Sequence, residues 1–171
     1  MPGYVPHAWV VADKTGIEKD WWVKANGYQG LRIFSRKLSL AIFRKFGDFF
    51  GVSSGNFLFD YERLGKHDTP IPNTEYIPKP HRFQGDGTTS GIAIEMAARF
   101  GAKRIILCGM DFHGDEYWDG MKAPCSISDR QGDWSEFLPY MNSLIRWVHA
   151  QSIEIHTVSK TAITVPEWRI K

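Results

Sequence analysis

Between Asp111 and Gly120 the chain reads DFHGDEYWDG, which gathers Asp111, His113, Asp115, Glu116, Tyr117 and Asp119 within nine residues. Carboxylates, an imidazole and a phenol at this density can move protons or stabilise a leaving group, and His113 titrates near neutral pH. Hard cations favour such oxygen ligands. Loops of this composition are as often solvated turns, and no metal site is expected. A second chemical signal precedes it at Thr88, Thr89, Ser90 and Gly91. Small hydroxyl residues at a helix start can bind phosphate, because free backbone N–H groups and the helix dipole both favour an anion there. The same residues are also common helix caps that hold no ligand.

The elements around these two stretches follow from the run 85–113, GDGTTSGIAIEMAARFGAKRIILCGMDFH. Thr88 or Thr89 caps a predicted helix from Ser90 to Phe100, with Ile92, Met96 and Phe100 as its apolar stripe and Gly101 as its stop. Arg104 to Gly109 is a continuous apolar run, the pattern of a strand buried on both faces, with Cys108 inside it as a small hydrophobe. Such strands belong to parallel sheets covered by helices, and ligands of those sheets sit beyond the carboxyl ends of the strands. Asp111, His113 and Tyr117 fall there, and so does Ser159 after a predicted strand Ile153–Val158. The spacing further predicts strands over 8–12 and 31–34, a short helix over 17–25, and a hairpin over 49–61. A helix capped by Ser135 runs to Ala150, with Phe137, Leu138, Met141, Leu144, Ile145 and Val148 inward and Pro139 near its first turn. Residues 65–87, rich in Pro and Gly, form an irregular loop that could act as a lid over the helix start or simply connect. The order predicts one α/β domain over residues 1–171, with a Rossmann-like, mainly parallel sheet flanked by helices.

Thr89-Ser90-Gly91, the small-residue helix and GAKRIILCGMDF resemble a segment of the bacterial sialyltransferases that use CMP-sialic acid. They also resemble the related 6-hydroxymethylpterin diphosphokinase-like proteins and their short phage and prophage members. In outline the resemblance covers 9–168; its specific part is 89–112. It implies a nucleotide-sugar site at Thr89, Ser90 and Gly91, a tyrosine at Tyr117 that assists the leaving phosphate, and transfer without a metal. His113 stands where another family tyrosine would be. A pterin diphosphokinase-like activity would instead call for Mg²⁺. Two departures stand out. The family's N-terminal glycine-rich strand-loop, G-N-G-P-S, is lacking, and 131–136, QGDWSE, has no histidine where the family places its general base. Asp133 or Glu136 could supply a carboxylate in its place.

Bulk composition narrows the function classes. Net charge is +2 with 23% charged residues, too little concentrated basic charge for a nucleic-acid footprint. Arg32, Arg36, Lys37, Arg44 and Lys45 therefore read as a solvated face. Lone His67, His81 and His149 read as structural. Two cysteines give no disulfide framework. The first residues lack the basic and apolar regions of a secretory signal, and no apolar run reaches the ~20 residues of a membrane span, so a cytoplasmic protein is expected. Two functions follow. One is a glycosyltransferase-like protein binding a nucleotide or nucleotide sugar. The other is a non-catalytic module that captures a protein partner through Trp21, Trp22, Tyr117, Trp118 and Trp134.

Overall fold

Helix α1 (Thr89–Arg99) shows how the sequence sets its own limits. The computed structural model describes residues 8–11, 31–35, 56–59, 61–63, 75–85, 89–110, 134–158 and 160–167. α1 stops where Gly101 takes the left-handed conformation, φ +82°. The Gly101 N–H bonds the Ala98 carbonyl at 3.1 Å and the Ala102 N–H bonds the Ala97 carbonyl at 3.0 Å. This pair of reversed bonds is the Schellman stop, which satisfies carbonyls the helix would otherwise leave open. Thr89, one of the two expected caps, lies within the helix; Thr88 lies outside the described residues.

The buried arc of α1 is broader than its i, i+4 stripe and turned away from it. Ile92 and Met96 are buried as expected, but Phe100 is 59% exposed. Gly91, Glu95, Ala98 and Ile94 extend the buried side around the helix. The stripe missed its centre because it took in only apolar residues, and Glu95 lies in the middle of the buried arc.

The chain divides into two units, 1–62 with 80–83, and 63–79 with 84–171. In the first, β1 (Ala8–Val11), β2 (Leu31–Ser35) and β3 (Asn56–Phe59) form a parallel sheet in that order. Ile33, Ser35 and Phe59 are buried, and Phe59 meets Phe83 edge-on at 5.7 Å. Of the hairpin expected over 49–61, residues 49–55 lie outside the described residues; its second arm contains β3, which pairs in parallel with β2. A short pair, β4 (Tyr61–Arg63) and β5 (Phe83–Gly85), makes a separate sheet.

In the second unit β6 (Arg104–Leu107) pairs in parallel with β7 (Glu154–Thr157), in the register Ile105 to Ile155 and Leu107 to Thr157. Helix α2 (Trp134–Ala150) packs on α1 and β7. Tyr76, Ile94, Ile105, Leu107, Tyr140, Met141, Leu144, Ile145, Val148, Ile153, Ile155 and Ile163 form one continuous core. β6 corrects the expectation of burial on both faces. Ile105 and Leu107 point inward, whereas Arg104 and Ile106 point out. Cys108 follows the strand and is exposed, not buried. Period-two burial is what a sheet with one open face produces. Ser135 lies inside the first turn of α2, not before it, which leaves Pro139 farther inside the helix than expected.

α2 ends differently from α1. Ser152 occupies the left-handed position, φ 61°, and its N–H bonds the His149 carbonyl at 2.9 Å. A side chain there strains the backbone. Ser152→Gly is therefore expected to leave stability unchanged or raise it by about 0.5 kcal/mol. Gly101→Ala is expected to cost about 1 kcal/mol, all of it backbone strain, since nothing lies within 4 Å of the added methyl. Urea titration of both variants checks the opposite signs.

Candidate functional site

α1 runs through a tight turn into β6, so its amino end lies at the end of the unit where β6 finishes. The same holds for α2 and β7. At that carboxyl edge Thr89 and Ser90 are half-buried and Gly91 is buried. The first turn of α1 itself carries no acidic residue that would offset its positive end. Just beyond β6, Gly109 adopts φ +67° and turns the chain. The Met110 carbonyl then accepts the Thr161 hydroxyl, and the Thr161 hydroxyl oxygen accepts the Ile163 N–H at 3.2 Å. The rims after β6 and β7 are thus tied together. Asp111, His113, Tyr117, Thr88 and Ser159 lie outside the described residues, as do Asp133 and the aromatics Trp21, Trp22 and Trp118.

A group that sequence reasoning passed over lies deeper in the same unit. Glu95 is 0% exposed. One carboxylate oxygen accepts the Gln84 N–H at 2.7 Å, and the other forms an ion pair with Arg99 one turn on. Arg99 also donates to the Lys79 carbonyl at 2.7 Å. The buried Tyr76 hydroxyl lies beside this pair without a well-formed hydrogen bond. Tyr140 donates to the Gln84 side-chain oxygen at 3.2 Å, and the Tyr76 N–H to Ser143 Oγ at 2.8 Å. Burial holds the Glu95 carboxyl above its ordinary range, against the pull of Tyr76, the Gln84 N–H and Arg99. Burial first, then the neighbouring carboxylate, pushes the Tyr76 phenol far up. In the sequence, the one available signal was an acid alone in an apolar helix, IAIEMAA. Its i, i+4 arginine disguised it as an exposed pair.

Of the expected lid, residues 65–74 and 86–87 lie outside the described residues. Within 75–85, Tyr76, Lys79 and Gln84 are tied to α1 and α2 by four hydrogen bonds.

The open face of β6 and β7 carries different chemistry. Arg104 and Glu154 pair at 2.6 Å, which lowers the Glu154 carboxyl below its usual range. Ile106 sits in register with half-buried His156, and Val158 is 49% exposed beyond it. At the opposite end from the α1 amino terminus, an open hollow of about 400 Å³ lies between the carboxyl ends of the two helices, lined by Arg99, Lys103, Trp147, Gln151 and Ser152. Arg99 and Lys103 offset the negative helix ends there. Among the described residues no three His, Cys, Asp or Glu side chains gather to hold a metal ion. No helix among them is long and apolar enough to cross a membrane.

Compared with protein-family models, with curated proteins and with solved structures, the chain finds no match.

Proposed function

We propose that this chain is a glycosyltransferase-like protein of phage or prophage type that handles a nucleotide or nucleotide sugar in the cytoplasm on a Rossmann-like sheet. The observation that carries the reading is the first turn of α1. Thr89, Ser90 and Gly91 begin a helix that runs back along parallel strands, and the first turn itself holds no acidic side chain to oppose a phosphate. Asp111, His113 and Tyr117 follow directly from that edge in the sequence. In displacement at the sugar carbon the nucleotide phosphate leaves with its charge, and donors at the helix start would stabilise it. Diphosphoryl transfer to a pterin is the variant that would bring Mg²⁺ with its nucleotide.

The experiment is a thermal-shift panel of CMP, CDP, CMP-sialic acid, ATP and a hydroxymethylpterin. A ligand at about 100 times its Kd adds about 2.7 kcal/mol to stability. Ser90→Glu separates binding from folding. A carboxylate in the first turn of a helix favours the helix by up to about 1 kcal/mol but repels a phosphate. The variant is expected to melt at or above the parent temperature and to lose the ligand shift by at least about tenfold in affinity. No shift with any of these ligands at millimolar concentration sinks the proposal.

A protein-binding module is the second reading, favoured by Ile106 and Val158 exposed on one sheet face. Ile106→Asp, which leaves the α1 start untouched, would abolish partner capture under that reading and leave ligand binding intact under the first.

A further inference from the structure

We propose that Glu95 is the centre of a proton-controlled clamp on the chain between Tyr76 and Gln84, closed while its carboxylate is ionised and loosened when it takes up a proton. The geometry places one buried group in command of several ties. Glu95 accepts the Gln84 N–H directly, and it orients Arg99, which holds the Lys79 carbonyl. Both ends of the stretch 79–84 therefore depend on the same carboxylate. Residues 77–82 are all exposed, with Ile77 at 57%, so apolar burial does not fix them.

Hydrogen bonds that involve an ionised group are roughly twice as strong as neutral ones. Neutralising Glu95 weakens its bond from Gln84 and removes its ion pair with Arg99 together. The proton comes from solvent by way of Arg99, which is 20% exposed, and settles on the oxygen facing it. That oxygen can then donate to the Tyr76 hydroxyl, which lies beside it without a well-formed hydrogen bond in the closed arrangement. Among the described residues, the charged and titratable groups facing Glu95 are Arg99 on its own helix and Tyr76 from the preceding segment. α2 contributes Tyr140, whose hydroxyl is engaged by Gln84. Burial, the leading influence on Glu95, raises its carboxyl, so the proton is taken up at a milder pH than a surface glutamate requires. The contacts of Tyr140 with Gln84 and of the Tyr76 N–H with Ser143 do not depend on that charge. The segment therefore loosens while remaining docked.

Hydrogen exchange of the intact chain tests this without any ligand, so it stands or falls separately from the phosphate site. After correction for intrinsic rates, a peptide covering 75–85 is expected to lose about tenfold in protection between about pH 8 and about pH 5, relative to a peptide from α2. Glu95→Gln is expected to show the weakened protection at both pH values. Protection of 75–85 that tracks α2 throughout, or a pH dependence that survives in Glu95→Gln, overturns the proposal. Should that variant fail to fold, the Gln84 amide resonance of the unaltered chain decides. It must titrate with a midpoint above the ordinary glutamate range, and an amide that does not move over that range refutes the clamp.

Discussion

Glu95→Ala is expected to destabilise the chain by about 2–4 kcal/mol, among the largest effects of any single substitution here. The change strands the Gln84 N–H in the interior, leaves a space beside Tyr76, and removes one of the partners of Arg99. The cost falls short of that for a fully buried pair because Arg99 is partly exposed and can recover water. Glu95→Gln keeps an acceptor for Gln84 and most of the volume, so it is expected to cost distinctly less. The two also differ with pH. The folded-state carboxyl lies above its unfolded value, so its ionisation opposes folding. The contribution of Glu95 to stability is then fully present below the unfolded value of about 4.3 and is lost as pH rises through the folded value. The unaltered chain should therefore gain stability relative to Glu95→Gln as pH falls from neutrality toward about 5. Urea midpoints across that range measure it, and a difference of the opposite sign would show that Arg99 outweighs burial.

The second large effect is expected in the core. Leu144 is 0% exposed and lies within the apolar cluster under β6 and β7. Leu144→Ala removes buried methyl groups and leaves a cavity that close-packed neighbours fill only in part, at a cost of about 2–5 kcal/mol. Ile106→Ala, on the open face of the neighbouring strand and 42% exposed, is expected to cost under about 1 kcal/mol. The contrast is the informative quantity. Equal losses for the two variants would mean that the outward face of β6 is covered in solution.

The periodic elements were legible because local physics specifies them. Apolar residues at helical spacing located α1 and α2, and the glycine after Phe100 marked a stop that the structure realises with both reversed hydrogen bonds. Ala8–Val11, Leu31–Ser35 and Glu154–Thr157 lie within a residue or two of their predicted limits. Ser152 was not legible as a helix stop, because serine has no preference for the left-handed conformation that it takes there.

Of the candidate site, the sequence could nominate Thr89, Ser90 and Gly91 from helix-start chemistry, and the structure places them at the carboxyl edge of β6 and β7. It could not nominate Glu95. A glutamate four residues before an arginine looks the same in sequence whether the pair is solvated or sealed, and only the approach of Tyr76, Gln84 and α2 seals it. The same limit explains β6. A run of four apolar residues states that a strand is hydrophobic, not how many of its faces are covered. The sequence by itself determined where helices and strands form, since propensity, capping and periodicity act over a few neighbours. Only the tertiary structure decided which polar groups lost their water, because burial depends on residues brought together from Tyr76, Glu95 and Tyr140, far apart along the chain.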